Sequence, residues 1–363
     1  MKGVRSVFQK SSEIVRSGVG KAFPCAAVAI GAGHKIFLRE FFGNRQVEPE
    51  VFSLTENTLF DLASLSKLVS TTMVALKFIE EGKLSPDDNI GKFLTYTGNF
   101  SDCKIHHLLT HSSGMTAGIA LFNMPHKEND ALLTILDSDR CYNTGEDVVY
   151  SCMGYIVLQR ILEKISNETL DCLAKKYVFD PLGMKNACYN PDAETTIVAA
   201  TELYPHTGEW ATGHVHDENA YFLGGVAGNA GVFANLDDMI SFAGMCSKKG
   251  IAKNGDIYLP EEIFNLAIRN YTLDKKESRG LGFQLKGNQT FPCGKLLSQG
   301  SYGHTGFTGT SLYVDYETGL WGILLTNAVH YGRENKGDYL NLRKAFYDTM
   351  ITEYRDLEKN ITK

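Results

Sequence analysis

The chain has 363 residues, 43% of them hydrophobic, and a formal net charge of -6 at pH 7. That length exceeds the usual single core, so two domains, or one domain with a large insertion, are expected. Both charge signs are mixed along the chain without a basic block, which argues against a nucleic-acid or acidic-membrane partner.

Met1 to Gly20 carries Lys2 and Arg5 and is then interrupted by polar residues every few positions. It reads as an amphipathic helix with Val4, Val7, Phe8, Ile14 and Val15 inward. It lacks the apolar region of a secretory signal, Met1 speaks against a removed leader, and no apolar run is long enough to span a bilayer. The eight cysteines, at 25, 103, 141, 152, 172, 188, 246 and 293, include no Cys-x-x-Cys pair. They read as free thiols in a reducing compartment, and the cytoplasm is the expected location.

Pro24 to Gly31 and Lys35 to Gly43 predict the two strands of a hairpin turning at Gly31-Ala32-Gly33-His34. Leu65 to Glu81 predicts a mostly buried helix through Leu68, Met73, Leu76, Phe78 and Ile79, ended by Gly82. From Asp87 to about Asn190 the pattern is helical pieces between turns, chiefly Ile105 to Thr110, Asp130 to Asp137, Gly154 to Ile165 and Leu170 to Val178. A glycine-dense run, Leu223 to Gly231, leads into a helix from Leu236 to Cys246. Strand signals return at Leu281 to Lys286, Gly309 to Asp315 and Trp321 to Asn327, before a closing helix from Asn335 to Tyr354. Strands at both ends with helices between predict an α/β domain built from residues 1–66 and 218–363. A mainly helical domain, 67–217, is inserted. There is no internal repeat and no low-complexity linker.

The chemistry is concentrated in three short motifs. Ser64 and Lys67 stand three apart where a turn-like segment becomes helical, so they share one face and the amine can reach the hydroxyl. Serine is a weak nucleophile at neutral pH and needs such a partner. A second Ser-x-x-Lys, Ser101 to Lys104, has no catalytic company. Asn143 to Tyr155 offers Tyr150 and Cys152 at the turn before a helix. Tyr302 to Thr310 contains His304-Thr305-Gly306 and opens a strand with small residues, which lets a substrate lie along the strand edge. Two decoys lack the right following element: His206-Thr207-Gly208, and Tyr339-Leu340-Asn341 in the closing helix.

Ser64-x-x-Lys67, Tyr150-x-Cys152 and His304-Thr305-Gly306, in this order, resemble the motif set of the serine β-lactamase and penicillin-binding-protein superfamily. The class C branch and its related esterases are most similar. Ile105 to Gly114, Phe179 to Met184 and Val215 to Ala220 support the likeness, which covers nearly the whole chain. It implies a mixed α+β fold, an antiparallel sheet flanked by helices with an inserted helical domain. It implies Ser64 as acyl-forming nucleophile, Lys67 holding its proton network and Tyr150 shuttling protons. Cys152, His304, Thr305, Gly306 and Phe307 would bind substrate, with the backbone N–H groups of Ser64 and Phe307 as oxyanion hole. No metal or cofactor is implied. The partner expected is a small-molecule acyl substrate; oligomeric state is not legible.

A tyrosine base is demanding, because reaching phenolate near pH 7 from a free pKa of about 10 costs about 4 kcal/mol. A Lys67 ammonium supplies attraction of the right sign; a neutral Lys67 would itself be the base, and both assignments stand. Two departures shift the substrate expectation. The second motif usually ends in asparagine, and Cys152 is a weaker hydrogen-bonding partner for an acylamide side chain. The third usually begins with lysine, and a mostly neutral His304 offers less to a substrate carboxylate. Small esters or acyl compounds are therefore expected, with β-lactam or D-alanyl-D-alanine peptide hydrolysis, or a slowly acylating sensor, as alternatives. A Cys152 nucleophile paired with His304 is the lesser idea, since Ser64 already has its partners.

Other features receive plain readings. His107 and His111 have zinc-helix spacing but lack the following glutamate, so packing is expected. His214, His216 and Asp217 are expected to hydrogen-bond a loop near the site. Gly224 to Gly231 is expected to floor the site as a tight turn. Tyr221 and Phe222 are pocket or core, with Tyr221 the pocket candidate.

Overall fold

The computed structural model describes residues 8–124, 129–192, 194–204, 208–287, 291–334 and 336–361. Its strands, in chain order, are β1 (Cys25–Ala32), β2 (Lys35–Gln46), β3 (Phe52–Ser53), β4 (Phe60–Asp61) and β5 (Cys188–Tyr189). Then follow β6 (Val232–Ala234), β7 (Gln284–Leu285), β8 (Tyr302–Thr305), β9 (Ser311–Val314) and β10 (Leu320–Thr326). Seven of them form an antiparallel sheet in the order β3-β2-β1-β10-β9-β8-β7. The expected mixed α/β architecture, an antiparallel sheet flanked by helices, is the one observed.

β1 shows why this sheet is covered on both sides. Its run CAAVAIGA contains no polar side chain, and alternate residues enter different cores. Cys25, Ala27 and Ala29 join Trp321, Ile323 and Leu325 in one cluster. Ala26, Val28 and Ile30 join Leu320 and Leu324 in the other. The second cluster is closed by the terminal helices Gln9–Gly18 and Lys336–Ile361, through Val15, Phe346, Tyr347 and Met350. Glu353 fastens these helices by accepting from the Ser11 hydroxyl at 2.6 Å. The first cluster is closed by Leu236–Ser247 and runs on without a break into the helical segment. There Met73, Leu108, Ile156 and Leu173 share it.

A small sheet, in the order β4-β6-β5, lies between these parts. It pairs Phe60 with Ala234 and Cys188 with Phe233, which fixes the chain just before Ser64. These strands of two or three residues are too short to carry a period and were not expected.

Elsewhere the structure corrects details. The helix after Ser64 is π-helical over Lys67–Thr72 and α-helical over Met73–Glu80. A π turn often marks a functional site. The strand expected over Leu281 to Lys286 shrinks to Gln284–Leu285. Gly282 has φ +78°, and a Cβ there would lie 2.1 Å from the Thr72 hydroxyl, so the chain turns onto the helix instead. The third motif closes β8 rather than opening a strand, and Gly306 to Thr310 is the turn into β9. At Gly306 a Cβ would meet Thr310 Oγ1 at 2.1 Å and Leu62 O at 2.3 Å. The closing helix continues to Ile361 because nothing in Arg355 to Lys359 breaks it. The N-terminal helix is Gln9–Gly18, with Phe8 and Val15 buried; Val4 and Val7 lie outside the described residues, as do His206 and Thr207. Among the described residues no helix is long and apolar enough to cross a membrane.

Trp321 ties the hairpin to the sheet centre. It is fully buried, donates from Nε1 to Gly33 O at 2.8 Å, and occupies the space a Cβ on Gly31 would need. Trp321→Ala is expected to lower unfolding stability by about 3–5 kcal/mol in urea titration. A loss below about 1 kcal/mol would remove this residue from the framework.

Candidate active site

The chain reaches Ser64 through a strained turn. Ala63, just before it, has φ +46°, which costs a residue with a Cβ about 1–3 kcal/mol. Four hydrogen bonds hold the turn. The buried Asp61 carboxylate accepts from Ala63 N at 2.8 Å and from His216 N at 2.7 Å. Thr308 and Thr310 donate to Asp61 O and Leu62 O at 2.8 and 3.0 Å, so the turn after β8 is stitched to the turn carrying Ser64. Ser64 itself is half-buried.

Lys67 is fully buried beneath it. Its ammonium donates to Ser64 Oγ at 3.0 Å, Asn229 O at 2.8 Å and Cys152 Sγ at 3.5 Å. Burial pushes this amine down, but Cys152 and Tyr150, when ionised, pull it above its ordinary value, and the net shift is upward. The glycine-rich run does floor the site: Asn229 O holds Lys67 and Gly228 O accepts from Thr71. The Asn229 amide is buried and makes no hydrogen bond among the described residues.

Tyr150 lies 5.0 Å from the Lys67 ammonium, measured to its ring centroid. Its hydroxyl is buried beside Lys67 and Ser64, short of hydrogen-bond geometry with either. Burial raises its pKa above the ordinary phenol value, and Lys67 opposes that rise.

Two neutral histidines pack on this tyrosine. The His304 and His111 rings lie 5.8 and 4.4 Å from it. His304 hydrogen-bonds through Nδ1 to Thr305 O at 2.7 Å, so Nδ1 carries the proton. Burial, with Arg279 and Lys67 nearby, pushes His304 down to about 3. His111 accepts from Ser151 N at 3.1 Å, and burial first, then Arg279 and Lys67, hold it well below its ordinary value. His111 thus packs as expected, but against Tyr150 itself.

Ser64, Tyr150, Thr305, Gly306 and Phe307 line one cavity of about 240 Å³. Its other wall is Ala328, Val329, Tyr339, Leu340 and Arg343. These residues, contributed by the segment after β10 and by the closing helix, were missed. Tyr339 belongs to the dismissed Tyr-x-Asn decoy, and no local pattern marks Arg343. Tyr221 is not among the lining residues; it is half exposed and packs at a tilt against Tyr204 and His214. Phe222 packs partly buried against the core.

The remaining candidates have structural partners. His107 caps a helix by accepting from Lys104 N at 3.0 Å. His216 pairs with Glu202 at 2.7 Å and stacks on Phe307, while Asp217 caps Glu218–Phe222. No group of three metal-ligating side chains occurs among the described residues.

The neutral histidines make stability depend on pH. Unfolded, each takes up a proton near 6.5. Folded, His304 does so only near 3. Between those values the unfolded chain binds more protons, so their contribution is present above about pH 6.5 and lost as pH falls. The urea midpoint is expected to drop between pH 7 and pH 4.5, and less steeply in His304→Asn. Equal slopes in both proteins would show that His304 is not held neutral.

Comparison with known proteins matches this architecture. The β-lactamase family model covers residues 11–346. A putative D-alanyl-D-alanine carboxypeptidase of Escherichia coli K12 is 31% identical over 76% of this chain and 70% of its own length. An N-acetylmuramyl-L-alanine amidase of Bacillus subtilis is 27% identical over 89% of this chain and 81% of its own. Among solved structures, EstCE1, a hydrolase with promiscuous acyltransferase activity, superposes with a TM-score of 0.73 at 18% identity, covering 95% of this chain and all of that one. An octameric penicillin-binding protein homologue from Pyrococcus abyssi gives 0.70 at 21% identity, covering 96% and 80%. With its fold, its Ser64–Lys67 pair and a family match spanning nearly its whole length, the chain belongs to the β-lactamase family of serine hydrolases.

Proposed function

We propose that the chain hydrolyses small esters or related acyl compounds through an acyl-Ser64 intermediate, with machinery of the class C kind. The observation that carries this reading is the 3.0 Å Lys67–Ser64 hydrogen bond beneath a cavity that also holds Tyr150 and Phe307.

To accept the Ser64 proton, the Lys67–Tyr150 pair must hold one proton fewer than an ammonium and a phenol together, whichever of the two is the base. The two groups titrate together, and the resulting step belongs to the pair. Ser64 Oγ then attacks the substrate carbonyl as its proton passes to the pair. The backbone N–H groups of Ser64 and Phe307 receive the developing oxyanion. Collapse returns that proton to the leaving alcohol and forms the acyl-serine. Water repeats the sequence in reverse: it gives a proton to the pair, attacks the acyl carbon, and Ser64 recovers the proton as the acid departs.

The modest cavity, with Ala328, Val329 and Leu340 in its wall, supports a short acyl group. A second reading, hydrolysis of D-alanyl-terminated peptides, is favoured by Arg343. It lines the cavity and carries the permanent charge for a carboxylate that His304 lacks. The names of the bacterial relatives lean the same way. We take the compartment to be the cytoplasm, supported by eight unpaired cysteines.

Multiple turnovers of a p-nitrophenyl butyrate substrate are expected, falling on the order of 10³-fold or more in Ser64→Ala. One acylation per chain without further turnover would instead mark a sensor. Cys152→Asn restores an amide and is expected to favour an acylamide substrate over the simple ester by about 5- to 100-fold in kcat/KM. An unchanged ratio would remove Cys152 from side-chain recognition.

A further inference from the structure

The third motif lacks its usual permanent cation, yet the structure brings another to the same tyrosine. Arg279 is 4% exposed, and its Cζ lies 5.5 Å from the Tyr150 ring centroid. It comes from a segment outside all three motifs. That segment is clamped. Arg279 N donates to Thr272 Oγ1 at 2.8 Å, and Arg279 O accepts from Tyr271 N at 2.9 Å. Leu281 N and Gly282 N bond to Ala267 O and Leu109 O at 2.8 and 3.1 Å. Lys276 pairs with Asp147 at 3.0 Å, and Lys275 donates to Glu146 O at 2.6 Å. The segment is therefore pinned to the loop that leads into Tyr150.

Among the described residues the guanidinium has one acidic partner, Glu277, which accepts from its Nε at 3.0 Å and also from Nη2. Glu277 is 38% exposed where the Arg279 side chain is 5% exposed. The negative end of the pair is thus screened by water, while the positive end lies inside. Facing Tyr150 from the other elements are Lys67, Cys152, His111 and His304, with Asp217 acting on Lys67 from a greater distance. Both histidines are uncharged near pH 7. Among the described residues, Lys67 and Arg279 are the lysine and arginine side chains that pack on this ring, and of the two only the guanidinium keeps its charge at every working pH.

Building on the serine-hydrolase reading above, we propose that Arg279 is a positioning residue. It packs on Tyr150 and supplies the fixed positive charge against which the Tyr150 hydroxyl works. It takes the electrostatic part that His304 leaves unfilled. The guanidinium does not line the Ser64 cavity, so it acts through Tyr150 rather than on substrate. At 5.5 Å from the ring centroid the charge is of the sign that favours the phenolate, and Glu277 offsets part of it.

The test is the acid limb of the kcat/KM profile for p-nitrophenyl butyrate, with thermal melting to confirm folding. Arg279→Gln is expected to move the limb up by about one pH unit, a roughly tenfold loss on its slope. Arg279→Lys should keep it within a few tenths of a unit. Glu277→Gln leaves the arginine in place and should move the limb the other way, which keeps the test informative if Arg279→Gln does not fold. Spectrophotometric titration of tyrosinate, taken as wild type minus Tyr150→Phe, reads the same shifts without any substrate. Chains that hydrolyse no ester but show these shifts would overturn the proposed substrate and keep the Arg279 role. Unmoved limbs and unmoved tyrosinate midpoints in both Arg279→Gln and Glu277→Gln would overturn the Arg279 role, whatever the activity.

Discussion

The site depends on one buried ammonium. Lys67 has three N–H donors and three acceptors: the Ser64 hydroxyl, the Asn229 carbonyl and the Cys152 sulfur. Removing a charge from water costs several kcal/mol, and such a group stays charged only where its donors are satisfied. Each partner comes from a different part of the chain, so the ammonium draws the nucleophile turn, the glycine-rich turn and the second motif to one point. The same charge donates to Ser64 Oγ and opposes the rise in pKa that burial imposes on Tyr150.

The surroundings are built to keep that point dry and rigid. Asp61 anchors the strained Ala63 and the His216 backbone, while Thr308 and Thr310 lock the turn after β8 to the same segment. Ser64 and the Phe307 N–H thus sit on turns that are bonded to each other. Phe307, on the second turn, is stacked against His216, which is held by Glu202 and, through it, Arg333. This arrangement resembles the preorganisation that oxyanion stabilisation needs.

The departures at Cys152 and His304 read differently once neighbours are in view. A histidine held neutral by burial contributes shape and a fixed tautomer, not charge. Positive charge is present all the same, carried by Arg279 at the tyrosine and by Arg343 at the cavity wall. The expectation that the site is poor in charge for a carboxylate rested on one motif position. The tertiary structure adds Arg343 at the cavity wall, while Arg279 stands against Tyr150 and away from the cavity.

Much was legible from residue order. The hairpin, the buried helix after Ser64, the helical middle and the closing helix follow from apolar periodicity and glycine stops, which are local properties. The Ser64–Lys67 contact follows from spacing within one turn, and Tyr150 and His304 followed from the motif resemblance. What the tertiary structure decided is everything assembled across the chain. β4, β5 and β6 are too short to signal themselves and exist because they pair with one another. Asp61, Asn229, Arg279 and Arg343 stand 3 to 279 positions from Ser64 in unremarkable local contexts, and their roles come from burial around the site. Local pattern is set by how a side chain meets its own helix or strand. The charge state and reach of this site are set by desolvation and by through-space neighbours, which exist only after the sheet and the helical segment have closed on each other.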